Sequence, residues 1–189
     1  MTGTRESDLI SVITTDHREV ERIFTELESQ QGTPEHRRAL ADHVIIELVR
    51  HSVAEEQFVY PAARRALDNG DELADHEIEE HAEAERVMKD LEDVPATDAR
   101  FDELLGKLMA DIRHHIGDEE TDLLPKLRQA CSAEELQELG EKVLRAKKLA
   151  PTRPHPSAPD TPPANRILGP GAGLIDRMRD ALSGRGKQE

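Results

Sequence analysis

A chain of 189 residues with 36% hydrophobic and 34% charged residues, one Tyr, three Phe and no Trp has the composition of a helical bundle, an aliphatic core under a charged surface. Residues 151–189 carry six basic against four acidic groups, so within the formal net charge of −15 the first 150 residues carry −17, a field that repels nucleic acid and anionic lipid and favours cations. One cysteine, Cys131, excludes an intramolecular disulfide and a cysteine-rich metal site, and the lack of an apolar leader or of any run near the ~20 residues of a membrane span reads as a soluble, cytoplasmic chain.

Ser7 is the expected N-cap of a first helix ending near Gly32, with Leu9, Ile13, Val20, Phe24 and Leu27 on one stripe and His17 among them. Thr33-Pro34 opens a second, whose seam runs through Leu40, Val44, Leu48, His51, Glu55 and Phe58 or Val59 until Pro61 kinks or ends it. After the Asp68-Asn69-Gly70-Asp71 turn, a third helix spans Glu72 to Glu92 with Ala74, Glu77, His81, Ala84, Met88 and Leu91 inward. A fourth opens at Pro95-Ala96-Thr97 and carries Phe101, Leu105, Leu108, Ile112, His115, Glu119 and Leu123 towards Pro125. Ser132 to Glu135 forms a capping box for a short fifth helix. The domain therefore takes residues 1–150. Six prolines among residues 151–163 open a mostly disordered tail with an extended linker, residues 167–173 continue it as a flexible piece, and Leu174, Ile175, Met178 and Leu182 line one side of a short helix over 174–182, a surface for a protein partner.

The chain repeats itself. His51-x-x-x-Glu55-Glu56 leads to Pro61, and His115-x-x-x-Glu119-Glu120 leads to Pro125, an offset of 64 that also carries His17 onto His81, Leu27 onto Leu91 and Leu48 onto Ile112 without a gap. A duplication of that span predicts two helical hairpins related by a pseudo-twofold axis, an up-and-down four-helix bundle of the all-α class.

Residues four apart on a helix sit one turn above each other, so His51 with Glu55 and His115 with Glu119 each offer a nitrogen and an oxygen to one metal ion. A lone His-x-x-x-Glu is most often a surface ion pair. Here His17, His51, Glu55, His81, His115 and Glu119 all fall on apolar seams, where unliganded ionisable groups would cost several kcal/mol each. A metal accounts for that burial, and two carboxylates among four imidazoles suit a dinuclear site. His36, His43 and His155 fall off the seams, and His114 points about 100° away from His115.

In order and spacing these motifs resemble the hemerythrin-like proteins with an HHE cation-binding domain. The resemblance implies a four-helix bundle around a non-haem, oxygen- or hydroxide-bridged di-iron centre, ligated by His17, His51, Glu55, His81, His115 and Glu119; such donors also accept manganese and zinc. Where oxygen-carrying relatives have a second histidine one turn before the helix-three ligand, this chain has Glu77, with His76 beside it; where they have an aspartate, it has Glu120. A carboxylate in place of an imidazole favours higher oxidation states and turns the expectation away from oxygen carriage, towards catalase-like reaction with peroxide or oxygen. Glu77 and the single tyrosine, Tyr60, are then proton relays or extra ligands, and His76 a further candidate ligand. Two other readings stay open: an oxygen, nitric oxide or iron sensor signalling through the tail, and a metal store. The chain is expected to act as a monomer or dimer.

Overall fold

Four of the helices begin where a side chain takes a free N–H group. The computed structural model describes residues 8–157, 164–183 and 185. Helix α1 (Leu9–Glu28) starts behind Asp8, whose carboxylate accepts the Ser11 N–H at 2.9 Å; the expected cap, Ser7, lies outside the described residues. Thr33 caps α2 (Pro34–Ala54) with proline in its first turn, as expected. Helix α4 (Gly70–Leu91) begins two residues before the expected Glu72, because a Cβ at Gly70 would run into the Ala63 carbonyl and only glycine lets the chain turn so close. Helix α5 (Ala99–Asp118) opens behind Asp98 rather than at Pro95, since the Asp98 carboxylate accepts the Arg100 N–H at 2.9 Å while Pro95 to Thr97 are spent in the preceding turn. The Ser132–Glu135 capping box starts α7 (Ala133–Leu149).

Neither Pro61 nor Pro125 ends its helix. The chain passes each through a wide π turn, Glu55–Val59 before α3 (Tyr60–Ala66) and Glu119–Leu123 before α6 (Leu124–Ala130). Proline has no N–H to give to the carbonyl four residues back and its ring crowds that carbonyl. One extra residue in the turn avoids the clash: the Tyr60 N–H bonds to the Glu55 carbonyl and the Leu124 N–H to that of Glu119, each five residues back. The bulge also redirects side chains. In a regular helix Tyr60 would stand about 140° round from Glu55, whereas here its hydroxyl lies 3.5 Å from Glu55 Oε2.

Helices α1, α2, α4 and α5 enclose two apolar clusters. One gathers Phe24, Leu27, Val44, Leu48, Met88, Leu91, Phe101 and Leu108 at one end of the bundle, and the other gathers Leu9, Ile13, Val59, Tyr60, Ala74, Leu123, Leu127 and Val143 at the other end with α3, α6 and α7. Helix α7 lies along α1, α2 and the first π turn. The buried histidines and glutamates lie between the two clusters along each helix, a layer closed to water from both ends.

The tail forms more helix than the expected 174–182, since α8 runs Ala164–Ser183 and takes in residues 167–173. A Cβ on Gly173 would stand 2.5 Å from the Leu149 carbonyl oxygen, so glycine lets α8 cross the end of α7 closely. Buried Asp176 accepts the Thr152 and Arg153 N–H groups, and Asp180 accepts the Thr152 hydroxyl and pairs with Arg153. His155, expected to be exposed, is half-buried with Nε2 2.8 Å from Asp176. The linker prolines within 158–163 and the Leu182 side chain lie outside the described residues. Leu174, Ile175 and Met178 are exposed. No helix among the described residues is long and apolar enough to cross a membrane.

Candidate metal centre

Four imidazoles and three carboxylates meet in the layer between the clusters, all at most 5% exposed: His17 from α1, His51 from α2, Glu55 from the first π turn, Glu77 and His81 from α4, His115 from α5 and Glu119 from the second π turn. His17 Nε2 stands 3.4 Å from Glu119 Oε2 and His51 Nε2 3.1 Å from Glu55 Oε2. On the other side His81 Nε2 lies 3.4 Å from Glu55 Oε2 and 3.2 Å from His115 Nε2, with His115 Nε2 3.9 Å from Glu119 Oε2. Three sets bring their ligand atoms within 4.8 Å of one another: His17, His51, Glu55 and Glu119; Glu55, His81 and His115; Glu77, His115 and Glu119. Glu55 and Glu119 each belong to both sides, and each side has two imidazoles.

The other ring nitrogen of every histidine is held by a carboxylate. His17 Nδ1 meets Glu120 at 2.9 Å, His51 meets Asp16 at 3.3 Å, His81 meets Glu56 at 3.2 Å and His115 meets Glu80 at 3.0 Å. A carboxylate that accepts the Nδ1–H leaves Nε2 with its lone pair and turns it inward, the arrangement that prepares an imidazole for a metal.

The hemerythrin HHE cation binding domain family matches residues 8–127. The chain belongs to that family. It is 33% identical over 180 residues to an uncharacterized hemerythrin-like protein of Schizosaccharomyces pombe, a match covering 95% of this chain and 87% of the other. It is also 26% identical over 145 residues to a protein of Nostoc sp. named DNA nickase, a match covering 76% of this chain but only 40% of the other. The crystal structure of a hemerythrin HHE cation binding domain-containing protein from Mycobacterium kansasii shares the fold, with a TM-score of 0.64 at 23% identity, over 75% of this chain and 85% of that one.

The donor set of this hemerythrin-like chain fits a cation. Buried His17 Nε2, His51 Nε2, Glu55 Oε1, Glu77 Oε2 and Glu119 Oε2 have no hydrogen-bond partner, although orphaned buried polar atoms are costly and rare. Glu77 Oε2 lies 2.9 Å from His115 Nδ1, which also meets Glu80 Oε2 at 3.0 Å. Protons partly take the place of an ion. Burial by itself would depress the imidazole of His51, but Glu55 and Asp16 outweigh it and raise the group from 6.5 to about 10. Burial likewise opposes a charge on His115, yet Glu119, Glu77 and Glu80 hold it well above its ordinary value. Tyr60 is pushed well up by burial and then by Glu55 and Glu119, and Glu77 is raised by burial.

Of the residues singled out in sequence, the structure does not bring His76 to this cluster: its side chain is half exposed on the outer face of α4, a helical step of about 100° from Glu77. Glu77 and Tyr60 both reach it, Tyr60 with its hydroxyl 3.1 Å from His81 Nε2 and 3.4 Å from Glu119 Oε1. Sequence reasoning missed the four carboxylates on the Nδ1 atoms. The repeat could have found them, because the offset of 64 carries Asp16 onto Glu80 and Glu56 onto Glu120.

Proposed function

We propose that the buried cluster holds two metal ions, iron in the working protein, and that the centre reacts with peroxide or oxygen in a catalase-like cycle. The observation that carries the reading is the convergence of five orphaned donor atoms in a layer closed at both ends by apolar side chains. His17 and His51 would hold one ion, His81 and His115 the other, and Glu55 and Glu119 would be shared, their charge offsetting that of the ions. Such a pair, when bound, supplies the two electrons that reduction of one peroxide consumes and recovers them from a second, so that two peroxides give two waters and one dioxygen.

The remaining chemistry is proton handling, and Tyr60 and Glu77 are suited to it. Reduction of peroxide takes up two protons and oxidation of the next releases two. Burial keeps Tyr60 protonated and its hydroxyl faces His81, Glu55 and Glu119. The raised Glu77 carboxyl can keep a proton and give it up inside the same dry layer. The test is oxygen release from peroxide by iron-loaded protein: turnover above that of free iron, lost in a His51→Ala, Glu55→Ala variant, supports the reading, and equal release from both sinks it.

One observation favours a second reading, a sensor of oxygen, nitric oxide or iron. Helix α8 is clamped through Asp176 and Asp180 while Leu174, Ile175 and Met178 face outward, a surface that a protein partner could read. Partner binding that changes with metal or gas and disappears on deleting residues 164–189 would support it. The activity named for the Nostoc protein does not carry over, because the match covers 40% of that chain and the acidic surface here repels nucleic acid.

A further inference from the structure

Where α4 and α5 run side by side, a second constellation lies on the outside of the bundle. His76 and Glu80 are one turn apart on α4, and His114 and Asp118 one turn apart on α5, so each helix offers an imidazole and a carboxylate. His76 Nε2 is 3.6 Å from Glu80 Oε1 and 3.8 Å from Asp118 Oδ2; His114 Nε2 is 3.5 Å and 3.7 Å from the same two oxygens. These separations are too long for hydrogen bonds. They approach the spacing of neighbouring donors around one tetrahedral ion with bonds of ~2.0–2.2 Å, about 3.3–3.6 Å. The ligand atoms of His76, Glu80 and Asp118 all lie within 4.8 Å of one another, and His114 approaches both carboxylates.

The internal repeat gives an independent reason to put a cation there. Glu80 corresponds to Asp16, and each holds the Nδ1 of a buried histidine with one oxygen. The other oxygen of Asp16 takes a cation from the protein, the Lys147 ammonium of α7 at 2.6 Å. Glu120, which holds His17, is likewise backed by the Arg18 guanidinium at 2.7 Å. Among the described residues no lysine or arginine pairs with Glu80, whose outer oxygen meets only His76 and His114. The positions that the repeat pairs with His76, His114 and Asp118 hold Val12, Arg50 and Ala54, so this group stands on the second hairpin alone.

We propose that His76, Glu80, His114 and Asp118 form a separate surface site for one divalent cation of the zinc type. Two imidazoles and two carboxylates balance its charge and match zinc's preference for nitrogen and oxygen donors in a tetrahedron. The site stands apart from the buried centre but shares a side chain with it. Glu80 faces the outer cation with Oε1 and His115 with Oε2, so the ion takes the part that Lys147 plays behind Asp16.

The test titrates zinc alone into full-length, iron-loaded protein after gel filtration, with zinc and iron counted in the same samples. Wild type is expected to take up one zinc per chain with no loss of iron. His76→Ala, His114→Ala should lose that equivalent, and Asp118→Asn should weaken it at least tenfold, with iron content and helical circular dichroism unchanged in both. A control variant, His36→Ala, should keep it. The proposal is overturned if wild type takes up no zinc, if zinc uptake matches iron release, or if the His76→Ala, His114→Ala protein binds as wild type does.

Discussion

The first half of the buried cluster, His17 and His51, and the second, His81 and His115, are built alike where they would hold an ion and unlike where they would face a reactant. Both have two imidazoles, a share of Glu55 and Glu119, and a carboxylate on every Nδ1. But the second half adds Glu77 and Tyr60, and the repeat pairs these with Ile13 and Leu124, both buried in the apolar cluster. Helix α7 also covers the first hairpin and sends Lys147 to Asp16, whereas α4 and α5 carry the histidine-rich outer face behind Glu80. At these two places the first half is apolar and the second polar, although the donors and their Nδ1 carboxylates match. In the proposed cycle, proton transfer would fall to the second half.

The most severe way to break the comparison is to remove what the halves share. Glu55→Ala is expected to reduce bound metal to near zero on both sides, measured as metal per chain, while His17→Ala should spare the second half; a Glu55→Ala protein that keeps one full equivalent would mean the halves are independent. Next in size is the asymmetry itself. Tyr60→Phe and Glu77→Gln should retain metal yet lower peroxide turnover by roughly 10²-fold, the usual scale for losing a positioned proton donor. Leu124→Ala, at the matching place in the first half, should leave turnover nearly unchanged. Smaller again is the effect of the Nδ1 partners: Asp16→Asn and Glu80→Gln should each weaken metal binding by about 10–100-fold, read by competition with a chelator. Equal losses would show that the holding apparatus kept its symmetry.

The bundle, its capped helices and the burial of the six seam histidines and glutamates were legible because hydrophobic period and internal repeat agree, each fixing the register of the other. The two π turns were not, since proline in a helical pattern signals a kink or an end, and only the Tyr60 and Leu124 N–H bonds show the helix widening to let it pass. The Nδ1 carboxylates stayed hidden for another reason: on an acidic chain most Asp and Glu are solvated, and Asp16 and Glu80 differ from the rest only in what the opposite helix brings to them. His76 misled because it neighbours Glu77, and one helical step decides between the core and the surface. The tail helix was underestimated because Gly173 reads as a breaker, while its use here is close approach to the end of α7.

The mildest test acts on protein freed of metal. His51 moves from 6.5 to about 10 because Glu55 and Asp16 outweigh its burial. Its proton therefore stabilises the fold fully below about 6.5, and that contribution is lost as pH rises through about 10. His115 and His81, both raised, act in the same direction from the other half. The melting temperature of the metal-free chain should fall across that window, and in Asp16→Asn the fall should come at lower pH, because one of the two carboxylates that hold the proton is gone. In the loaded chain the ions replace those protons, so binding should release protons and the melting temperature should stay level over the same range. If loaded and metal-free chains lost stability in parallel, the protons on these histidines would not be standing where a metal binds.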